Sequence, residues 1–393
     1  MFKKFVKSLI IPFYKVFFKF LSTKKNIIVF ESGNGRNYTG NPKYVYEYIL
    51  DNVDTDKYKL IWSLEDLSID IPGKVIKVKK NRIKYFYFTA IAQYWVFDTR
   101  PPIHLLKKDS CIFIQTWHGT PLKKLGLDME MVNMGTQTNI EEYKHLFEEN
   151  SKHWDVLLSQ NPYSSKIFKR AFNFNGKMLE IAYPRNDILT TGNSEEFIEE
   201  LKNSLNLPKN KKIILYAPTW RDNEFYKNGD YKFVTEIDFK LLEKELSDEY
   251  CIIVKYHYLI KEKENWEDFN NFVFVANDLT DIQLLYLASD ILLTDYSSVM
   301  FDYSILKRPI IFYTYDLENY KENIRDFYFN MENNVPGPLI KDNNDLINYF
   351  KNFNEDAYFN EFGDKYQEFI DKFIPWDDGN SSKMLVDFMD LNL

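Results

Sequence analysis

Three short stretches bring together residue types suited to chemistry beside a phosphate. In TWHGTPLKK, His118 follows an apolar run and precedes Gly119, Thr120 and Pro121, which read as a turn opening the next element. An imidazole at a strand's C-terminal end stands where open α/β sheets place their chemistry. The plainer reading is a histidine that only hydrogen-bonds a turn; Lys123 and Lys124, able to meet an anion, weigh toward function. In CIIVKYHYLI, Lys255 and His257 lie two apart at a strand end, on one face of the pleat, a pair suited to phosphate or to a solvated strand end. In DILLTDYSSVMFDYSILKRPIIFY, a strand runs through a polar loop into a helix. Thr294, Ser297 and Ser298 thereby bring hydroxyls and unpaired N–H groups to a helix start, which binds phosphate, although N-capping by Ser297 alone would use the same residues. YAPTWRDN adds Thr219 and Arg221 after another apolar run, the guanidinium offering a bidentate grip on phosphate or a surface pair with Asp222.

Other patterns carry less. GNGRNYTGNPKY sets Gly33, Gly35 and Gly40 ahead of a helix start, where backbone can approach a ligand closely. It is not a dinucleotide fingerprint, since Tyr38 stands at the last glycine, nor a P-loop, since Asn41-Pro42 stand where Lys-Ser/Thr belong. Asp54-Thr55-Asp56 has a metal-binding spacing but sits in a polar turn leading into a strand, away from the strand ends that line a site. No CxxC or HExxH occurs and the five histidines are scattered, so neither a metal site nor a cofactor is expected. Cys111 and Cys251 lie inside apolar runs and read as core thiols of a reducing compartment.

These residues must be held by α/β layers. Strand candidates NIIVF, YKLIWSL, KVIKV, QYWVFD, SCIFIQTW and WDVLLSQ alternate with helical stretches such as NPKYVYEYIL, with Asn41 as its N-cap and Pro42 at the first helical position. A polar stretch, KNSLNLPKNKK, then leads to a second cycle: KIILYAPTW, CIIVKYHY, NFVFVAND, DILLTD and RPIIFYTY. The 393 residues, 45% hydrophobic and 27% charged, suffice for two such cores. Residues 26–195 and 196–393 are the two expected domains, their strand ends facing one crevice.

Residues 1–25 differ from the rest. They hold seven lysines and no acid, interleaved with Phe, Leu, Ile and Val, within a chain of net charge −8. Lysines interrupt every apolar run before the roughly 18 residues a membrane span requires. A basic amphipathic helix lying on an anionic membrane surface fits this pattern; a first helix packed on the protein's own core is the alternative. The acidic globular remainder has no basic face interleaved with aromatics, so no nucleic acid partner is expected. The sequence leaves oligomeric state open.

Several motifs in this order resemble one family, the CDP-glycerol glycerophosphotransferases of teichoic acid and related polyol-phosphate polymer synthesis. The resemblance runs from NPKYVYEYIL through QTWHGTPLKKLGLD, YAPTWRD, VKYHYLI and DLTDIQLLYLASDILLTDYSSVMFDYSILKRPIIFYTYDLENY to YFNMENNVPGPL. It implies a GT-B-like α/β fold of two Rossmann-like doubly wound domains, peripheral attachment at the cytoplasmic face of the plasma membrane, and transfer from a CDP-glycerol donor to a lipid-linked polyol-phosphate or saccharide acceptor. By this resemblance His118 is the general base, and His257 with Ser297 and Ser298 holds the donor pyrophosphate. Thr219, Arg221, Lys255 and Thr294 are expected on the donor side; Gly35, Gly119 and Thr120 on the acceptor side. The alternatives are a ribitol phosphate transferase using CDP-ribitol, a GT-B glycosyltransferase using a nucleotide sugar, and a non-catalytic envelope scaffold.

Overall fold

Each apolar run read as a strand is one. The computed structural model describes residues 12, 14–132, 139–219, 235–256, 265–269, 271–320 and 326–391. β1 (Lys24–Glu31), β2 (Lys59–Leu64), β3 (Val75–Lys79), β4 (Ala92–Phe97), β5 (Ile112–Gln115), β6 (Val156–Ser159) and β7 (Lys177–Glu180) form a first sheet, ordered β3-β2-β1-β4-β5-β6-β7. β8 (Lys212–Tyr216), β9 (Tyr250–Val254), β10 (Val273–Val275), β11 (Ile291–Thr294), β12 (Ile310–Tyr313) and β13 (Leu339–Ile340) form a second, ordered β10-β9-β8-β11-β12-β13. All pairings within both sheets are parallel. Parallel sheets are covered on both faces, which is why their strands read as unbroken apolar runs. β7 and β13 escaped the sequence reading: KMLE is a half-exposed edge strand with charge at both ends, and β13 has two residues.

In each half the chain order reverses beside the first strand of its cycle, between β1 and β4 and between β8 and β11. Doubly wound sheets open a crevice there, at the strands' C-terminal ends. Cys111 and Cys251 are buried core thiols, as expected.

The first helix corrects one expectation. α1 (Gly40–Asn52) is preceded by Thr39 as its cap, and Asn41 lies inside the helix, buried. α2 (Ile83–Ile91) and α3 (Ile140–Ser151) follow in the first half, and α4 (Val299–Tyr303) in the second. The C-terminal elements, α5 (Glu355–Phe373) and α6 (Ser381–Phe388), lead the chain back toward the first half. Leu385, Val386, Met389 and Leu391 pack in the core of β1 and α1, and the Tyr94 hydroxyl donates to the Met389 carbonyl at 2.6 Å. The end of residues 196–393 is thus built into the first half's core.

Residues 14–20 are helical. Tyr14 and Phe18 are buried against Ala90 and Phe86, while Val16, Phe17 and Phe20 are exposed, Phe20 at 81%. No helix among the described residues is long and apolar enough to cross a membrane.

Candidate active site

A cleft of about 790 Å³ separates the two sheets at those switch points. The loop after β5 contributes His118, Gly119 and Thr120, and the loops after β1 and β4 contribute Asn34, Arg36 and Arg100. From the second half come Thr219, after β8, and Tyr296, Ser297 and Ser298, after β11. Six of the expected site residues therefore share one cavity, His118, Gly119, Thr120, Thr219, Ser297 and Ser298, and Lys123 lines it with them. Two more, Arg221 and His257, lie outside the described residues.

His118 is aimed by a strained turn. Trp117 has φ of 55°, a left-handed conformation that a bulky residue adopts only when its surroundings enforce it. Those surroundings are specific: the Trp117 N–H donates to Gln115 Oε1 at 3.0 Å, and the Trp117 carbonyl accepts from Asn41 Nδ2 at 3.0 Å and from the Thr116 hydroxyl at 3.2 Å. The indole is packed among Phe147, Trp154, Phe168 and Phe172 and stacks on the imidazole, with ring centroids 4.6 Å apart. His118 Nδ1 lies 2.9 Å from the Asp98 carbonyl oxygen. A carbonyl only accepts, so Nδ1 carries the proton and Nε2 keeps its lone pair.

The ring is open to the cleft but walled by protein elsewhere. Burial, with the charges of Arg185 and Arg100, depresses its pKa to about 4, while the hydrogen bond to the Asp98 carbonyl acts in the opposite direction. The imidazole is therefore neutral at physiological pH, the form a general base requires.

Gly119 explains itself by proximity. A Cβ there would meet Ser298 Oγ at 3.2 Å, so a residue without a side chain lets the two walls approach. Thr120 is buried beside it, donating to Gln160 Oε1 at 3.0 Å and accepting from Asn161 Nδ2 at 3.0 Å. Across the cleft, Asp295 Oδ1 accepts from the N–H groups of Thr219 at 2.8 Å and Tyr296 at 2.6 Å, which ties the loops after β8 and β11 together. Ser297 Oγ accepts from the Val299 N–H at 3.4 Å, ahead of α4, whose cap position is Ser298.

Three expected site residues are placed differently. Thr294 is buried and donates its hydroxyl to the Ala217 carbonyl at 2.8 Å, because the last residue of β11 faces β8 and not the crevice. Lys255 turns its ammonium onto the carbonyls of Asn277, Asp278 and Thr280, at 2.8, 3.2 and 3.1 Å, clamping the loop after β10. Gly35 stands behind the cleft wall, and only its neighbours Asn34 and Arg36 line it. Its φ of +86° gives it a different role: with Gly33 and Asn34 also at positive φ, it lets the loop curl over Lys80. Lys80 is buried in an ion pair with Glu31 at 2.5 Å and donates to the Asn34 carbonyl at 3.0 Å, fixing that curl.

No motif or spacing pointed to the polar links between the halves. Arg185 pairs with Asp302 at 2.6 Å, both largely buried, and Asn186 Nδ2 donates to Asp302 Oδ1 at 3.1 Å. Lys43 pairs with Asp281 at 3.0 Å. Asn186 and Gln160 also donate to Asp377, whose carboxyl burial pushes up to about 8. Past the cleft, Lys123 and Phe327 form an antiparallel bridge, and Lys124 meets Asp326 at 2.6 Å. Among these groups Asp98, Asn41 and Arg185 carry the site: Asp98 orients His118, while Asn41 holds the Trp117 turn and accepts from the Arg185 N–H at 3.2 Å.

Two doubly wound sheets meeting over a shared cleft, with a neutral, oriented imidazole on one wall and hydroxyls on the other, define a GT-B-like transferase. Residues 13–390 match the family model described as CDP-Glycerol:Poly(glycerophosphate) glycerophosphotransferase. The chain belongs to that family. It is 41% identical over 390 residues to a teichoic acid poly(glycerol phosphate) polymerase of Bacillus spizizenii, covering 97% of each chain. It is 41% identical over 388 residues to a polymerase of the same description from Bacillus subtilis, of which it spans about half, 51%. The solved structure of the wall teichoic acid polymerase TagF superimposes with a TM-score of 0.87 at 41% identity, over 94% of this chain and 89% of that one.

Proposed function

We propose that the enzyme transfers glycerol phosphate from CDP-glycerol to the terminal hydroxyl of a lipid-linked polyol-phosphate or saccharide acceptor, releasing CMP. The acceptor oxygen attacks the phosphorus that bears the glycerol. The bond from that phosphorus to the bridging oxygen breaks, CMP departs with the electron pair, and the hydroxyl proton passes to His118 Nε2. Thr219, Ser297 and Ser298 face the diphosphate from the second half, and Gly119 and Thr120 form the floor on the acceptor side. Arg221 and His257 complete the donor side in this reading, with His257 meeting the charge that develops on the bridging oxygen.

The observation that carries the proposal is the free Nε2 of a neutral His118 in the same cavity as Ser297 and Ser298. The test is incubation with CDP-glycerol and a short lipid-linked acceptor, reading CMP release and product mass. Growth of the acceptor by glycerol phosphate units is expected. Equal turnover of CDP-ribitol, or turnover of a nucleotide sugar instead, overturns the donor assignment.

A membrane-bound acceptor gives the first helix its purpose. Val16, Phe17 and Phe20 are exposed beside Lys15 and Lys19, while Tyr14 and Phe18 anchor the helix to the body of the protein. The two readings of this segment are thus compatible: one face packs inward and the other is available to an anionic surface at the cytoplasmic face. Burying a phenylalanine is worth about 1.5–3 kcal/mol, so F17D and F20D should each weaken binding to anionic vesicles at least roughly tenfold. Sedimentation with vesicles measures this, and turnover of a soluble acceptor should not change. Unaltered vesicle binding would remove the membrane role.

A further inference from the structure

Arg100 stands beyond the tip of β4 on the first-half wall, and its surroundings fix it closely. The carbonyls on either side are held in turn: that of Asp98 by His118 Nδ1 at 2.9 Å, that of Thr99 by Gln115 Nε2 at 3.1 Å, and that of Pro101 by Asn150 Nδ2 at 2.8 Å. Pro101 and Pro102 stiffen the backbone on its C-terminal side. The guanidinium lies over the rings of Phe147 at 4.2 Å and Tyr143 at 5.7 Å, both from α3 and both lining the cleft with it. Stacking occupies the flat faces of a guanidinium and leaves its in-plane N–H donors for another group.

Arg170 and Arg185 each pair with a carboxylate, whereas Arg100 pairs with none among the described residues. Burial lowers its pKa, yet a guanidinium stays charged. A partly desolvated cation with no counter-charge is costly to maintain, and such an arrangement suits an anion that arrives with a ligand. The donor diphosphate has its own wall, across the cleft at Thr219, Ser297 and Ser298. Arg100 shares a loop with the carbonyl that orients His118 and is close enough to that imidazole to depress its pKa.

Resting on the function proposed above, we infer that Arg100 binds the last phosphodiester of the acceptor chain and so sets the terminal hydroxyl at His118. In a chain ending in glycerol phosphate, a three-carbon unit separates that phosphate from the free hydroxyl, so one terminal unit can engage both side chains. Arg100 would then select acceptors that already carry a phosphate, and it would act on acceptor binding and not on donor binding.

The probes are a di(glycerol phosphate) with a free terminal hydroxyl and its methyl triester, which keeps the hydroxyl and loses the charge. R100A and R100Q should raise the KM for the charged acceptor roughly 10- to 100-fold, the range for a charge-assisted hydrogen bond, and abolish the preference for it over the triester. R100K should retain part of that preference, and KM for CDP-glycerol should stay unchanged in all three. Equal losses on both acceptors, or a rise in the CDP-glycerol KM, overturn the inference. Calorimetric binding of the charged acceptor without donor gives a readout independent of turnover. Wild-type binding that R100Q abolishes, in an enzyme releasing no CMP, would sustain this site and overturn the proposed reaction; normal turnover with unaltered binding in R100Q would do the reverse.

Discussion

H118A should lower kcat by about 10²–10⁴-fold, the contribution of a positioned general base, while CDP-glycerol binding stays near the wild-type value. The split follows from the geometry. His118 sits on the first-half wall with only Nε2 free, and the donor's proposed contacts lie on the other wall. Stopped-flow turnover and calorimetric donor binding measure the two quantities separately. Loss of both together would place His118 at the donor.

The same residue sets the acid limb of the pH profile. A base must be unprotonated to act, and the pKa of His118 is depressed, so activity should hold as pH falls below 6.5 and fail only toward 4. Stability carries the matching sign. Between those values the unfolded chain binds a proton at this position that the folded chain does not, so His118 makes the fold less stable as pH falls through that window. H118A should remove that slope as well as the activity. An acid limb centred at 6.5 or above would contradict the assignment.

D302A should destabilise the protein by about 3–5 kcal/mol, because it leaves the Arg185 guanidinium buried without its partner. It should also slow turnover, since Asp302 is on α4, one turn from Ser298, whose Oγ stands where a side chain at Gly119 would reach. A small displacement of reacting groups costs far more in rate than in binding. The second-site test is the pair R185M with D302L: replacing both charges by apolar groups of similar size should recover most of the stability, because the cost lies in the lone charge and not in the missing attraction. Urea unfolding midpoints decide it. If the double variant is as unstable as D302A, packing and not charge holds the halves together.

The role of the links between halves also separates what is local from what is not. The positions of every strand but β7 and β13, the two-cycle organisation and the places of His118, Gly119, Thr120, Thr219, Ser297 and Ser298 at strand ends were readable from residue order. Parallel strands buried on both faces must be apolar throughout, and the chain must turn polar where it leaves them. That constraint acts over about five or six residues and leaves its mark on any one sequence.

Other assignments depended on partners far along the chain. Asn41 has the look of an N-cap, yet its amide reaches the Trp117 carbonyl, 76 positions away. Lys255 reads as a phosphate ligand and instead clamps carbonyls 22 to 25 positions on; Thr294 reads as a site hydroxyl and instead binds Ala217. Arg185 and Asp302 are 117 apart, and Lys43 and Asp281 are 238 apart. Periodicity comes from the backbone and is written into each short segment, whereas the partner of a given donor is chosen only when two sheets and their connecting loops settle against one another. The sequence by itself thus determined which residues arrive at the crevice; folding decided which of them face into it and which are turned aside to hold it together.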